Sequence, residues 1–168
     1  GAQGSGSDGE RMLDLARQAG SFAVPLGAVP QQAVALILQC SQLFVLPSLY
    51  EGLPLVMLEA AACGCPILVS GLPTIRSWVS RDWLQSGTFD FIPALQTTQA
   101  DRPVESDVPR FVEALAGFIG KQLKHPVPPA ARQSLAKLAA DHSWSAVFKR
   151  YERAYQEAGE GVQADLDW

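Results

Sequence analysis

The chain has 168 residues, of which 48% are hydrophobic and 18% are charged, so it has enough apolar material for the core of one domain and too little charge for disorder. Its net charge of −4 disfavours nucleic acid as a partner. The longest apolar runs are far shorter than the ~20 residues of a membrane-spanning helix, and residues 1–10 do not have the pattern of a signal peptide.

The first half of the chain alternates between helical and strand patterns. A capping box at Ser7-Asp8-Gly9-Glu10, followed by apolar residues at helical spacing, predicts a helix over residues 8–19. Short apolar runs bounded by Pro, Ser or Gly predict buried strands at 22–26, 43–46, 67–69 and 88–92, with helices at 31–39 and 53–63. This order predicts an α/β fold with a Rossmann-like parallel sheet and flanking helices.

The second half is predicted to be mainly helical. Residues 96–106 have no period and predict a surface loop, after which Ser106 is expected to cap a helix that breaks at 120–129. A further helix is predicted at 130–140. In the last helix, five residues share one face, which is typical of core packing: Trp144, Val147, Phe148, Tyr151 and Tyr155. We therefore expect one domain at 1–158 and a frayed tail at 159–168.

Two short patterns are weak as functional signals. Gly4, Gly6 and Gly9 match G-x-G-x-x-G, but too few residues precede them for the required strand, and residues 24–30 lack the Asp or Glu that would bind a ribose diol. The three cysteines, Cys40, Cys63 and Cys65, lack the spacing of a metal or redox site. We predict buried free thiols and a cytoplasmic location; peripheral membrane association of the full-length protein stays open.

The segment 47–60 leaves a predicted strand and enters a helix, which is where open α/β sheets bind ligands. Gly52 allows close approach of the backbone, and Pro54 suits the first helical turn, so we expect the amide donors of the helix start at Leu53 and Pro54. Such a start favours an anion.

Two carboxylates flank this helix start. Glu51 lies in the loop, and Glu59 would lie about 9 Å along the axis of a helix that begins near Leu53. Carboxylates accept hydrogen bonds from hydroxyls, so a ligand with a diphosphate between polyhydroxyl groups, a nucleotide sugar, fits the pattern. The alternative is that Glu51 and Glu59 are solvated surface residues.

Glu51 and Glu59 form an E-x7-E element, and this chain resembles the donor-binding, C-terminal half of retaining glycosyltransferases of family 4, the group 1 glycosyltransferases with the GT-B fold. Other stretches resemble the family in the same order: Gly4-Ser5-Gly6, Leu26-Gly27-Ala28-Val29-Pro30, Pro47-Ser48, the run from Glu59 to Pro66, and Ser143-Trp144.

The resemblance implies roles for individual residues. Glu51 would be the catalytic residue and, with the backbone of Gly52, Leu53 and Pro54, would hold the hydroxyls of the donor hexose. Glu59 would bind the ribose diol of the nucleotide, while Ser48 and the turn at Leu26-Gly27 would lie near the nucleoside.

The implied reaction moves a hexosyl group from a nucleotide-diphosphate sugar to a hydroxyl of a carbohydrate or lipid-linked acceptor, without a metal ion or other cofactor. The acceptor would bind an N-terminal domain, and the Arg and Lys pair that holds the diphosphate would lie on strands before Gly1. We therefore expect a domain truncated at its N-terminus and inactive alone. A second departure from the family is the run from Gly71 to Arg76, which lacks a Glu that many relatives have there.

A non-catalytic binding module and a hydrolase are the two alternative functions. A non-catalytic module that binds nucleotide sugars or acts as a scaffold would keep the same fold, and this alternative stays open. The nucleoside of the donor, whether uridine, guanosine or adenosine, also stays open. A hydrolase is disfavoured because the chain has no G-x-S-x-G element and because His125 and His142 lie beside helix breaks without a nucleophile. His142 is expected to cap or pack the last helix.

Overall fold

The structure is a computed structural model that describes residues 7–99 and 102–164. These residues form two compact units, one ending at Ile37 and one beginning at Leu38. The first unit contains α1 (Ser7–Ala19), a 3₁₀ turn (Gly20–Phe22) and most of α2 (Gln31–Cys40). Both predicted helices of this unit are confirmed.

The predicted strand at 22–26 is wrong. Phe22 ends the 3₁₀ turn, and the residues after it have no regular structure. Phe22, Val24 and Leu26 are 97%, 71% and 56% exposed. A strand needs a neighbour that supplies backbone hydrogen bonds, and none of the described strands pairs with this run.

The second unit contains a parallel sheet of three strands: β1 (Phe44–Leu46), β2 (Ile67–Ser70) and β3 (Phe89–Ile92), in the spatial order β1-β2-β3. Val45 lies opposite Leu68, and Leu68 lies opposite Asp90. All four residues of β2 are buried, as expected for a strand with a neighbour on each side. The predicted α/β class and these three strands are confirmed.

Helices connect the strands and cover the sheet. The connection from β1 to β2 is α3 (Leu55–Ala62), which packs on both strands and on α7 (Pro129–Ala140). Two short helices, α4 (Pro73–Trp78) and α5 (Arg81–Gln85), connect β2 to β3. These two helices were not predicted, because six and five residues are too few to show a helical period.

The core of this unit lies between the sheet and α3, α5 and α7. Trp83 of α5 is 2% exposed and meets the rings of Trp78 and Phe89 edge to face, with centroids 5.3 and 5.7 Å away. The largest aliphatic side chains buried in this unit are Met57, Ile67, Val69, Ile75, Ile92 and Leu135.

One guanidinium fixes α7 to the loops around α3. The Arg132 Nε donates to the carbonyl of Gly64 at 2.9 Å, and its Nη2 donates to the carbonyl of Ser41 at 2.7 Å. Gly64 has a φ of +67°, and a Cβ atom on it would lie 2.9 Å from the main-chain oxygen of Arg132. The turn after α3 therefore touches α7 closely enough to require glycine.

The stretch 96–106 is more regular than expected. It contains an antiparallel pair, β4 (Thr97–Gln99) with β5 (Arg102–Pro103), and a 3₁₀ turn (Glu105–Asp107). The next helix, α6 (Val108–Lys124), has Asp107 rather than Ser106 at its N-cap and no side-chain cap bond. It also passes through Gly120, where a break was predicted. One Gly costs a helix only about 1 kcal/mol relative to Ala, and packing of α6 on β3 outweighs that cost.

The last helix, α8 (Trp144–Ala164), continues past Gly159, and residues 165–168 lie outside the described part. The frayed tail at 159–168 stays a prediction. The predicted core packing of its apolar face is wrong, because Trp144, Phe148, Tyr151 and Tyr155 are 59–75% exposed. Helical spacing shows that residues share a face, but it does not show what covers that face. No helix in the described ranges is long and apolar enough to cross a membrane.

Candidate functional site

A cavity of about 520 Å³ lies at the carboxyl edge of the sheet. Its lining comes from three segments, 49–51, 72–74 and 94–97, which follow β1, β2 and β3 respectively. Because the strands are parallel, their carboxyl ends meet at one edge, which is where ligands bind in open α/β sheets. The cavity is therefore where the sequence analysis expected a binding site.

Glu51 lines this cavity and is held at two points. The Ser48 hydroxyl donates to Glu51 Oε1 at 2.8 Å, which orients the carboxylate. The Thr74 hydroxyl, on the first turn of α4, donates to the main-chain oxygen of Glu51 at 2.7 Å. The structure thus brings the predicted site residues Ser48 and Glu51 together and adds Thr74 from the next loop.

The start of α3 differs from the expectation. The helix begins at Leu55, with Pro54 as its N-cap in an extended conformation. Since proline has no N–H, the first amides of the helix are those of Leu55 and Val56, and not those of Leu53 and Pro54 as predicted. No side chain caps this end of the helix. Gly52 and Leu53 are exposed beside it, and Pro54 is buried.

Glu59 lies half-buried within α3 and is not part of the cavity lining. Counted from the true helix start, it is about 6 Å along the axis, closer than the 9 Å expected from a start near Leu53. Its charge affects the next turn: burial, and then the Glu59 carboxylate, raise the pKa of Cys63. The roles of Glu51 and Glu59 toward a ligand stay predictions.

The thiols match the sequence prediction only in part. Cys65 is buried, and burial raises its pKa to about 11. Cys63 is partly exposed and Cys40 is exposed, although all three are free. Both cysteines after α3 therefore carry the unreactive thiol form at neutral pH.

Arg76 occupies the run that departs from the family pattern. Its Nε donates to the carbonyl of Gly71 at 2.9 Å, and its guanidinium carbon lies 4.3 Å from the centroid of the Phe91 ring. A Cβ atom on Gly71 would meet this guanidinium within 2.4 Å. The cation of α4 is thus tied to the ends of β2 and β3.

Thr74 and the third wall of the cavity, residues 94–97, were not predicted from the sequence. Gln96 belongs to that wall, and its carbonyl accepts a hydrogen bond from the Val104 amide at 2.8 Å. The useful signal was position, since both residues come shortly after a buried strand. Neither belongs to a residue pattern with known chemistry.

The other residues considered from the sequence do not line the cavity. The His142 ring centroid lies 4.3 Å from that of Trp78 in α4, so its ring packs on α4, and the expected role in capping or packing the last helix stays a prediction. Burial, followed by the Arg150 charge, lowers the pKa of His142. His125 is the exposed C-cap of α6. Gly9 lies in α1, while Gly4 and Gly6 lie outside the described residues. Within the described ranges, no group of three or more His, Cys, Asp or Glu side chains could hold a metal ion.

Comparisons with known proteins agree on one family. The family model described as glycosyl transferases group 1 matches residues 3–90 of this chain. The D-inositol 3-phosphate glycosyltransferase of Mycobacterium avium is 33% identical over 134 residues, which are 74% of this chain and 26% of that protein. A UDP-Gal:alpha-D-GlcNAc-diphosphoundecaprenol alpha-1,3-galactosyltransferase of Escherichia coli is 56% identical over 36 residues, 21% of this chain and 9% of that protein.

A solved structure shows the same fold. Sucrose-phosphate synthase from Thermosynechococcus elongatus matches 96% of this chain and 38% of its own, with a TM-score of 0.64 and 22% identity. The expected likeness to a GT-B domain is confirmed. The chain spans about a quarter of the length of the curated relatives that match most of it.

Proposed function

This chain belongs to the group 1 glycosyltransferases, and on that premise we propose that it is the donor-binding part of a retaining enzyme. The enzyme would move a hexosyl group from a nucleotide-diphosphate sugar to a hydroxyl of a carbohydrate or lipid-linked acceptor. The observation that carries the proposal is the position of Glu51, in a cavity at the carboxyl edge of the sheet, four residues before the start of α3, which no side chain caps.

In this proposal each part of the donor meets a group of matching chemistry. Glu51 accepts hydrogen bonds from hexose hydroxyls, and Glu59 accepts them from the ribose diol. The amides of Leu55 and Val56 face the diphosphate, because a helix start carries partial positive charge. Ser48 keeps the Glu51 carboxylate turned toward the cavity through its hydrogen bond.

The reaction breaks the bond between the anomeric carbon and a diphosphate oxygen, and the nucleoside diphosphate leaves with the electron pair. The acceptor oxygen forms the new bond to the anomeric carbon on the same face of the sugar, and its proton passes to the departing diphosphate oxygen. Fixed donors stabilise the charge on the leaving group, so we propose that no metal ion takes part. Glu51 is catalytic in this scheme because it touches the reacting sugar and orients it.

The partners and the location are also proposals. The acceptor would bind outside this chain, in a further domain. The names of two relatives, which include UDP-Gal and D-inositol 3-phosphate, suit a sugar donor and a hydroxyl acceptor. We place the protein in the cytoplasm, where free thiols such as the three found here persist.

The test is calorimetric binding of UDP-, GDP- and ADP-hexoses, and of UDP, GDP and ADP, to the full-length protein. We expect Glu59→Ala to weaken binding of the nucleoside diphosphate and of its sugar alike, by about one to two decades, because a hydrogen bond to a charged group is worth ~1.5–3 kcal/mol. Glu51→Ala should weaken only the nucleotide sugar. Glu113→Ala, an exposed carboxylate on α6, is the matched control and should bind as the wild type does.

Each result decides one part of the proposal. If the full-length wild-type protein binds none of these compounds, the donor-binding role is refuted, and an unchanged affinity in Glu59→Ala refutes the ribose assignment. Turnover by the whole protein separates an enzyme from a non-catalytic binding module. The anomeric configuration of its product, read by NMR, tests retention, and loss of activity in EDTA would refute the metal-free mechanism.

A further inference from the structure

We infer that Thr74 is a positioning residue for the donor hexose, because its hydroxyl holds the main chain of Glu51 in place across two strand-end loops. The inference rests on the proposed function and adds to it a residue that no motif contains. It stands on the hydrogen bond of 2.7 Å from Thr74 Oγ1 to the Glu51 main-chain oxygen, which joins residues 23 positions apart.

The Thr74 side of this bond is fixed to the core. Thr74 follows Pro73 at the start of α4, and its neighbour Ile75 is 0% exposed. Gly71 and Leu72, which precede Pro73, are also held in place. The Gly71 amide donates to the Ile92 carbonyl at 2.9 Å, and Leu72 is 8% exposed. The hydroxyl therefore projects from a part of the chain that packing holds still.

The Glu51 side is held much less by packing. Residues 47–54 have no regular structure, and Tyr50 and Leu53 are 74% and 42% exposed. The bond from Ser48 to Glu51 lies within the same loop, so it orients the carboxylate without fixing the loop to the sheet. The Thr74 hydroxyl supplies that fixation, because it donates from the neighbouring loop.

Loss of the Thr74 hydroxyl should therefore act on one half of the ligand. Glu51 and the hexose lie on the loop that Thr74 holds, whereas Glu59 lies in α3 and does not depend on this bond. We expect Thr74→Val to reduce the preference for a nucleotide hexose over its nucleoside diphosphate by about three- to tenfold, the range for one hydrogen bond. Affinity for the nucleoside diphosphate itself should not change.

The experiment measures the ratio of Kd values for UDP, GDP and ADP against those of their nucleotide hexoses, in the full-length protein. Thr74→Val keeps the branched shape without the hydroxyl, and Thr74→Ser restores the hydroxyl. Ser77→Ala is the matched control, since it removes another exposed hydroxyl of α4 that bonds only within the helix, to the Thr74 carbonyl. Hydrogen–deuterium exchange of residues 47–54 in the unliganded chain is the second readout.

Faster exchange at 47–54 and a lower hexose preference in Thr74→Val, both reversed in Thr74→Ser and absent in Ser77→Ala, support the inference. A wild-type hexose preference that Thr74→Val retains refutes it and leaves the proposed function intact. A wild-type chain that binds nucleotides without any hexose preference refutes the role of Glu51, and the inference with it. If hydrogen–deuterium exchange at residues 47–54 is unchanged in Thr74→Val, the Thr74 hydroxyl does not hold this loop, and the inference is refuted irrespective of any ligand.

Discussion

Gly64 offers a direct test of how α3 is seated against α7. Its φ of +67° lies in the left-handed region, and an added Cβ would lie 2.9 Å from the main-chain oxygen of Arg132. An Ala in this conformation costs about 1–2 kcal/mol, and crowding a packed site adds about 1–3 kcal/mol. We therefore expect Gly64→Ala to lower the free energy of unfolding by about 2–5 kcal/mol, out of a total of ~5–15 kcal/mol for a domain.

Gly87 provides the matched control. It has nearly the same φ, +69°, but nothing lies within 4 Å of the position of its Cβ. Gly87→Ala should cost only the backbone strain, about 1–2 kcal/mol, so the difference between the two variants measures the contact with α7. Urea denaturation followed by the fluorescence of Trp83, which is buried in the same unit, gives both values.

Equal losses of stability in the two variants would refute the argument, because the close approach of Arg132 would then contribute nothing. A much larger loss in Gly87→Ala would refute it as well. The expected order, with Gly64→Ala the less stable variant, supports the close packing of the turn after α3 on α7.

Two further predictions concern the same unit. Arg132→Met should lower the free energy of unfolding by about 2–4 kcal/mol, because it removes two charged hydrogen bonds, and Lys137→Met, an exposed cation on the same helix, should change it little. His142 has a folded pKa below its unfolded value of 6.5, so its contribution to stability is complete above that value and is lost as the pH falls through the folded pKa. The free energy of unfolding, measured by denaturation, should therefore fall less between pH 7.5 and pH 5 in His142→Phe than in the wild type.

Contrary results would be clear in both cases. If Arg132→Met and Lys137→Met are equally stable, the bonds to Gly64 and Ser41 do not hold α7 in place. If His142→Phe keeps the full pH dependence of the wild type, the carboxylates of the domain, and not His142, account for it.

Local patterns located the sheet and the first loop of the site. The runs at β1, β2 and β3 are apolar, short and bounded by residues that break strands, so their positions were predicted to within one residue. Pro47 to Glu59 was expected at the carboxyl end of a strand, and Ser48 and Glu51 do lie there at a cavity. Apolar runs and their flanking turn residues are local properties of the sequence, so they located these elements before their partners were known.

Residue order alone therefore specified the α/β class, the family and one loop of the candidate site, because periodicity, turn residues and motifs are local properties. Folding in three dimensions settled the rest: the apolar run at 22–26 has no strand partner, the aromatic face of α8 is exposed, and Thr74 meets Glu51. Each of these depends on which distant segment lies opposite, and a local pattern carries no information about that. Packing and backbone pairing between remote segments supply it.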